Sequence, residues 1–272
     1  MLGNLFGGYI NEALDWRTAF IVVGLPGVLL ALVVRFTLVE PPRGNSEQAV
    51  KAKSEAPPVS FVFKALWSRK SFRYMSLGGA LHALVGYGVG PFIPPLFIRV
   101  HEMGTADIGQ ALFWLGFAGI AGTASGGWLA DRWAKKDVRW YVWLPGIATL
   151  ISVPFAVAAY LWDDPIQAFW LMALPGFLGA YYLGPTFSLA QGLVGVRMRA
   201  LAAAILLFIL NLIALGLGPL TVGILSDLLK PSFGQDSLRY ALLSLSLLNV
   251  WAAYHYFLAG RSYVKETAPA SA

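Results

Sequence analysis

Residues 127–136 read Gly127-Trp128-Leu129-Ala130-Asp131-Arg132-Trp133-Ala134-Lys135-Lys136 and lie between two long apolar runs. The small residues allow two helices to turn tightly against each other. Asp131 is followed closely by the cations Arg132, Lys135 and Lys136, a combination typical of a short polar loop at a membrane surface. This pattern predicts a membrane protein with a spanning helix on each side of the loop.

The composition favours a membrane bundle over a soluble domain. Hydrophobic residues make up 57% of the 272 positions and charged residues 12%, whereas soluble domains carry about 25% charged residues. The 29 Gly and 10 Trp suit close helix packing and anchoring at the membrane interface. The absence of Cys from the sequence excludes disulfides, thiolate metal sites and Cys nucleophiles.

Apolar runs of about 20 residues predict seven full membrane spans, and Met1–Ile10 reads as the tail of an eighth. The predicted fold class is therefore an all-α polytopic membrane helical bundle. Three prolines, Pro91, Pro94 and Pro95, should break or kink the far end of the second full span. The seven spans are Thr18–Leu38, Phe72–Phe97, Ile108–Leu129, Trp140–Tyr160, Pro165–Leu189, Leu201–Leu225 and Leu238–Leu258.

The segments between these spans alternate in charge. Sixteen of the 20 Lys and Arg residues fall in four segments on one side, within 35–73, 132–139, 197–199 and 261–265. The other four lie on the opposite side beside acidic residues. The positive-inside rule then predicts a multi-pass protein whose C-terminus is cytoplasmic. The membrane is expected to be the plasma membrane, which is the inner membrane of a bacterium. Because the cations are spread over four loops, no nucleic-acid partner is expected.

A short internal repeat indicates two related units. Residues 3–12 align without gaps on 218–227, and Gly3, Leu5 and Gly8 coincide with Gly218, Leu220 and Gly223. In each copy an Arg, Arg17 or Arg239, then opens another apolar span. If 201–258 closes the second unit, 1–38 closes the first, and most of the first unit would precede Met1. The bundle is thus expected to be incomplete at its N-terminus, with a missing N-terminal half as a partner.

The 127–136 motif resembles the G-x-L-a-D-R-x-G-R-K signature of the major facilitator superfamily, with Ala134 where the family has Gly. Further stretches at 92–101, 137–141 and 199–240 are similar to the spinster-type branch, whose members are linked to sphingolipid and lysophospholipid export. The resemblance implies two six-helix halves related as parallel repeats. It implies the end of helix 5 and helix 6 at 1–38, a cytoplasmic central linker at 39–71, helices 7–12 at 72–260 and a cytoplasmic tail at 261–272.

The central linker itself is polar and contains Pro at 40–60, which predicts a flexible segment. Residues 61–69 are expected to form a short amphipathic helix on the inner leaflet, with Phe61, Val62, Ala65 and Leu66 facing the lipid. An ordinary connecting loop is the alternative.

The loop motif is the first candidate site. Asp131 can accept backbone N–H bonds from a neighbouring helix and pair with Arg132, Lys135 and Lys136. Such a cluster, with Gly127 at its start, would act as a conformational latch in alternating access. The alternative is that the cations only enforce topology. Gly122, Gly126 and Gly127 are interpreted as close-packing points, and the 216–219 segment as a hinge or a close-packing point.

Polar side chains inside the predicted spans are the second candidate set. His82 is a candidate for substrate or proton contact, with an interhelical hydrogen bond as the alternative. Tyr181 and Tyr182 would wall a cavity for a lipid tail, or pack between helices. Asn249 lies on a helix expected to face outward and is interpreted as making a structural hydrogen bond between helices. Asn211 is open to the same interpretation. The substrate-cavity candidates are His82, Tyr87, Tyr181, Tyr182, Thr186, Gln191 and Asn211.

Enzyme signatures are lacking in the sequence. His82, His101 and His255 do not have metal-ligand spacing, and there is no phosphate-binding Gly-rich loop, so no catalytic residue, metal or cofactor is expected. The main hypothesis is a secondary transporter of an amphipathic or lipid-like substrate, in contact with membrane lipids. The alternatives are proton-coupled transport of small organic acids, with protons as a candidate coupling ion, and a truncated, non-transporting membrane fragment.

Overall fold

The computed structural model describes residues 1–39 and 57–267, which are helical apart from short turns, with no strand in either range. Six helical stretches in these ranges are long and apolar enough to cross a membrane. The predicted all-α membrane fold is therefore confirmed. The stretches are Trp16–Thr37, Lys70–His101, Thr105–Ala134, Trp140–Leu161, Pro165–Gly192 and Val196–Glu266.

The chain forms two compact units, and the first consists of residues 1–56 and 104–113. It begins with α1 (Leu2–Ala13) and α2 (Trp16–Thr37). The carboxylate of Asp15 caps α2 by accepting hydrogen bonds from the backbone N–H groups of Arg17 and Thr18. Residues 40–56, which contain most of the predicted flexible linker, lie outside the described residues.

The second unit, residues 57–103 and 114–272, begins with α3 (Val59–Trp67). The predicted helix exists, but its predicted orientation is wrong. Val62 and Leu66 are fully buried in the protein core, whereas Phe61 is 56% exposed. The two buried residues are four positions apart and share one helix face, so this face packs on protein instead of lipid.

The prolines interrupt the next span as predicted. α4 (Lys70–Val89) gives way to a 3₁₀ turn at Gly90–Phe92, and α5 (Ile93–His101) follows. Pro94 and Pro95 lie at the start of α5, where a missing N–H costs little. The chain then forms α6 (Thr105–Ala134) and α7 (Trp140–Leu161).

The span predicted at Pro165–Leu189 is also interrupted, which the sequence analysis did not predict. α8 (Pro165–Gly179) ends in a 3₁₀ turn at Ala180–Tyr182, after which α9 (Leu183–Gly192) begins. Pro185 has no N–H to donate to the carbonyl of Tyr181, four residues earlier, so the α-helical bond pattern is lost at this point. We call residues 179–182 the helix break.

The last apolar stretch, 71 residues long, holds two predicted spans. α10 (Arg199–Phe233) ends at Gly234, whose φ of 55° lies in the left-handed region that glycine tolerates. After a 3₁₀ turn come α11 (Ser237–Ser246) and α12 (Leu248–Thr267). Since about 20 residues span a membrane, the described helices accommodate all seven predicted spans.

Glycines bring the helices of the second unit close together. A Cβ on Gly88 would lie 3.0 Å from the carbonyl oxygen of Gly218, and one on Gly78 would lie 3.0 Å from that of Ala252. α4 is therefore in close contact with both α10 and α12, and the interpretation of Gly218 as a close-packing point is confirmed. The core beside these crossings includes Phe72, Met75, Leu206 and Tyr256.

Candidate functional site

His82 of α4 lies at the centre of a buried polar cluster. Its Nδ1 atom is 2.9 Å from Oδ1 of Asn249 on α12, and its Nε2 atom is 2.9 Å from the carbonyl oxygen of Gly179 at the helix break. The hydroxyl of Thr149 on α7 lies 3.5 Å from Nδ1. Only 8% of His82 is exposed. The interhelical hydrogen bond considered for His82 is therefore present, and it ties α4 to two other helices.

The chemistry of these partners allows two protonation states of His82. A carbonyl oxygen only accepts, so Nε2 must carry a proton to bond to Gly179. If Nδ1 is also protonated, it donates to the amide oxygen of Asn249. If Nδ1 is unprotonated, the same amide can rotate by half a turn and donate to Nδ1 through its NH₂ group. The cluster can thus satisfy both the neutral and the charged imidazole.

Two of the predicted cavity residues adjoin this cluster. The ring of Tyr182 meets that of His82 edge to face, with 4.8 Å between the ring centroids. One turn further along, Thr186 is fully buried, and its hydroxyl lies 3.2 Å from the hydroxyl of Tyr256 on α12. Tyr256 was not singled out in the sequence, because an aromatic residue on an apolar helix gives no sign of a polar partner.

Tyr181 packs against α6. Its hydroxyl lies 3.2 Å from the hydroxyl of Ser125, and a Cβ on Gly126 would lie 2.8 Å from the Cα atom of Tyr181. A Cβ on Gly122 would likewise overlap the carbonyl oxygen of Phe177. Tyr181 therefore follows the packing alternative, and Gly122 and Gly126 are confirmed as close-packing points.

The remaining cavity candidates are not joined to the His82 cluster by a described hydrogen bond. Tyr87 lies on α4, one turn and a half beyond His82, and is 44% exposed. Gln191 is half-buried in the last turn of α9, and Asn211 is half-buried on α10. Their role in a cavity stays a prediction. Asn249, by contrast, is buried instead of facing outward. It makes the predicted hydrogen bond between helices, with His82.

The loop motif forms the end of α6 and the turn into α7. Asp131 is exposed and accepts a hydrogen bond of 3.0 Å from the hydroxyl of Tyr141 on α7. The guanidinium of Arg132 lies over the ring of Trp128, 5.4 Å from its centroid. Lys135 and Lys136 are exposed, and a Cβ on Gly127 would meet nothing within 4 Å. The four charged residues of the motif thus lie together at one helix end and are exposed, whereas Ala130 and Ala134 are buried. The close packing predicted at Gly127 is not found, because the space beside it is open.

Asp137 closes the turn after the motif. Its carboxylate accepts a hydrogen bond of 2.9 Å from the backbone N–H of Arg139 and pairs with the guanidinium of the same residue, also at 2.9 Å. The backbone hydrogen bond is the main reason that the pKa of Asp137 lies below its ordinary value. The loop is held in shape by this local contact.

A contact within the first unit was missed by the sequence analysis. The carboxylate of Glu12 in α1 accepts a hydrogen bond of 2.8 Å from the backbone N–H of Ala106 in the first turn of α6. The hydroxyl of Thr105 lies 3.3 Å from both Nδ2 of Asn11 and the carbonyl oxygen of Gly8. A carboxylate at a helix N-terminus is favoured by the free N–H groups and the helix dipole. We call this set the α1–α6 contact.

Glycine makes the α1–α6 contact possible. A Cβ on Gly8 would lie 2.5 Å from the carbonyl oxygen of Thr105. A Cβ on Gly109 would overlap the carbonyl oxygen of Asn4. Gly8 and Glu12 belong to the internal repeat, but the repeat does not indicate their partners. Within 1–39 and 57–267, no group of three or more His, Asp or Glu residues could hold a metal ion.

The chain was compared with protein families and with individual proteins. The family model for the Major Facilitator Superfamily matches residues 1–219. An MFS-type efflux pump of Mycolicibacterium smegmatis is 31% identical over 264 residues, which cover 96% of this chain and 60% of that protein. Protein spinster homolog 1 of Xenopus laevis is 24% identical over 92% of this chain and 51% of that protein. The chain therefore spans little more than half the length of these relatives.

Solved structures give the same result. A bacterial homologue of the human lysosomal transporter spinster, crystallised in an inward-facing, unoccupied conformation, has a TM-score of 0.79 with 27% identity. The alignment covers 99% of this chain and 67% of that one. A bacterial spinster homologue in an occupied, inward-facing conformation has a TM-score of 0.73 with 28% identity. The spinster-like resemblance predicted from the sequence is confirmed.

Proposed function

Because the chain belongs to the Major Facilitator Superfamily, we propose that it is part of a secondary active transporter that works by alternating access. The observation that carries this proposal is the α1–α6 contact. It joins a helix of the proposed first half, residues 1–38, to a helix of the proposed second half, residues 72–260. A contact of this kind must form and break if two halves rock against each other.

The energetics of the α1–α6 contact suit a reversible gate. No residue of α1 is fully buried, so little apolar area would be exposed by separation. The three hydrogen bonds are worth about 1 kcal/mol each in net terms. Conformations that exchange in proteins differ by a few kcal/mol. Substrate binding can supply that amount, so the gate can open without unfolding either helix.

The sequence topology assigns a side to this gate. By the positive-inside rule, Glu12 and Ala106 lie at the outer surface and the loop 127–136 lies in the cytoplasm. The C-terminal tail, 261–272, is then cytoplasmic as well, and the linker 39–71 joins the two halves on that side. An outer gate that is closed corresponds to an inward-facing state. The similar bacterial spinster homologue was crystallised in an inward-facing state.

The loop motif is proposed as the opposing, cytoplasmic latch. Asp131, Arg132, Lys135 and Lys136 are exposed in the structure, and Asp131 is bonded to Tyr141 of the adjoining helix. We propose that this loop separates from the other half of the transporter whenever the outer gate closes. In the outward-facing state Asp131 would instead accept backbone N–H groups of a helix from the other half. Gly127 then provides the flat surface for that approach.

We propose an amphipathic or lipid-like organic substrate, moved across a bacterial inner membrane. Two aromatic side chains support this class, Tyr182 beside His82 and the partly exposed Tyr87. An aromatic ring with a hydroxyl gives both an apolar wall and a hydrogen bond. The M. smegmatis relative is described as an efflux pump, and export would be the corresponding direction here.

A flux assay in proteoliposomes tests the proposal. Vesicles containing the protein are loaded with a labelled lysophospholipid or a labelled small carboxylate, and an imposed pH gradient drives transport. We expect movement of the lysophospholipid that a second, unlabelled amphiphile inhibits. Vesicles with the Asp131→Asn variant should show slower flux at equal protein content.

Two other results would contradict this proposal, and each would favour a different alternative. Flux of the carboxylate without any effect of lysophospholipid would favour the small-acid alternative. Absence of flux for both, from a protein that is folded and correctly inserted, would favour a non-transporting membrane fragment.

A further inference from the structure

We propose that His82 is a proton-binding site at the helix break, and that release of its proton transfers the Nδ1 contact from Asn249 on α12 to Thr149 on α7. The use of this proton to drive transport rests on the proposed function. Proton binding itself is a property of the described chain and can be measured without transport.

The charged state fits the contacts directly. Nδ1 and Nε2 each lie 2.9 Å from an oxygen atom, on Asn249 and Gly179 respectively. An imidazolium has a proton on both nitrogens and can donate to both oxygens at once. Hydrogen bonds from a charged donor are stronger than neutral ones. Two such acceptors compensate in part for removing the charge from water.

The neutral state has a different set of partners. When the Nδ1 proton leaves for water, Nε2–H still donates to Gly179, and Nδ1 becomes an acceptor. The hydroxyl of Thr149, 3.5 Å from Nδ1, is then a suitable donor, whereas the oxygen of Asn249 would repel the lone pair. Asn249 keeps its contact only by rotating its amide. The Thr149 hydroxyl needs only to turn its proton towards Nδ1, whereas Asn249 must rotate a buried amide by half a turn. We therefore expect proton release to move the Nδ1 contact from α12 to α7, without leaving an unpaired nitrogen.

The partners of His82 that the structure describes carry no fixed charge that would prevent this exchange. α7 contributes the uncharged Thr149, and α12 contributes the uncharged Asn249. The helix break contributes the carbonyl of Gly179 and the ring of Tyr182. A second tyrosine, Tyr256 of α12, has its hydroxyl beside Gly79 of α4, one turn from His82. α10 also packs on α4, but its ionisable residues lie towards its ends, at Arg199, Asp227 and Lys230.

The position of the site links proton binding to the proposed cavity. The carbonyl of Gly179 belongs to the helix break, and Tyr182 in the same turn touches the imidazole ring. A substrate that contacts Tyr182 would therefore interact electrostatically with protonated His82. An ionisable residue in this position within a membrane bundle is expected to have a functional role.

Nitrogen NMR of the imidazole rings tests the proposal. The protein has three His residues, and the signals of His82 are those that disappear in a His82→Gln variant. We expect the His82 signals to move from neutral to doubly protonated as the pH is lowered. Asn249→Asp should raise the midpoint by about one pH unit or more, because a carboxylate favours the charged form.

Thr149→Val gives a sharper test because its shape changes little. Loss of the hydroxyl removes the donor to neutral Nδ1, so the midpoint should rise by about half to one pH unit. Thr221→Val on α10 is the matched control, since the Thr221 hydroxyl bonds to the carbonyl of Leu217 in its own helix. The midpoint should not move in this control.

The proposal is overturned if His82 stays neutral from pH 5 to pH 9 in both the unmodified protein and Asn249→Asp. It is also overturned if Thr149→Val and Thr221→Val leave the midpoint equally unchanged. Circular dichroism verifies that each variant is folded before titration. A His82 that titrates as expected in a protein without flux would support the proton site and contradict only the proposed transport.

Discussion

The carboxylate of Glu12, in the last turn of α1, accepts a hydrogen bond of 2.8 Å from the backbone N–H of Ala106, in the first turn of α6. These residues are 94 positions apart, and the bond uses a free N–H group that every helix N-terminus leaves exposed. Because the contact is polar and glycines lie beside it, α1 and α6 can separate at a low cost in free energy. This feature connects the fold to the proposed gate.

Glu12→Ala should loosen the α1–α6 contact. Removing a helix-capping acceptor costs about 1 kcal/mol. Spin labels at Leu14→Cys and Gln110→Cys, both exposed positions of the first unit, report the distance between the two helices. We expect a broader distance distribution in the Glu12→Ala background. Asp107→Asn, which alters another exposed carboxylate in the same turn of α6, is the control and should leave the distribution narrow.

Gly8→Ala should separate α1 from α6, whereas Gly7→Ala should not. A Cβ on Gly8 would meet the carbonyl oxygen of Thr105 at 2.5 Å, but a Cβ on Gly7 would meet nothing within 4 Å. The same pair of spin labels should show a longer mean distance for Gly8→Ala alone. Equal behaviour of the two variants would show that the close approach does not hold the helices together.

Gly126→Ala and Gly127→Ala form a second matched pair, at the loop motif. The first should lower the thermal unfolding midpoint, because its Cβ would lie 2.8 Å from Tyr181. The second should leave the midpoint unchanged or raise it, since Ala in an open helical position is favoured over Gly by up to about 1 kcal/mol. If Gly127→Ala slows flux in a stable protein, the latch hypothesis for Gly127 is supported. Unchanged flux would contradict it.

The stability contributed by Asp137 should depend on pH. The folded-state pKa is lowered below 3.8, chiefly by the backbone N–H of Arg139, so the stabilisation is complete above the unfolded pKa. It is lost as the pH falls through the lower folded pKa. Asp137→Asn should therefore unfold at a lower temperature than the unmodified protein at pH 7. The difference should shrink as the pH falls below 3.8, and a difference independent of pH would contradict this account.

Local signals in the sequence were sufficient for the helical spans and for one of the three interruptions among the described helices, which lie at Gly90–Phe92, at the helix break and at Leu247 between α11 and α12. Pro91, Pro94 and Pro95 stand together and mark the end of α4. The helix break at 179–182 was missed because Tyr181 and Leu183 continue an apolar run, and a search for apolar length does not register the single missing N–H of Pro185. The orientation of α3 was wrong because a stripe of apolar residues does not distinguish lipid from protein.

The partners of the candidate site residues could not be predicted. His82 was selected as an ionisable residue in a span, but its contacts with Gly179 and Asn249 lie 97 and 167 positions away. They depend on how α8 and α12 pack on α4, which no local pattern encodes. The loop motif was simpler, since Asp131 and Tyr141 are only 10 positions apart.

Thiol accessibility at Tyr87 tests the central claim of alternating access most directly. The sequence has no Cys, so Tyr87→Cys introduces a single thiol at a partly exposed position. Val138→Cys, exposed in the loop after α6, is the control and should react with a membrane-impermeant maleimide only from the cytoplasmic side. We predict that Tyr87→Cys reacts from either side, and that substrate or a pH gradient shifts the ratio of the two rates. A thiol at Tyr87 that reacts from one side at a constant rate under all conditions would contradict the account.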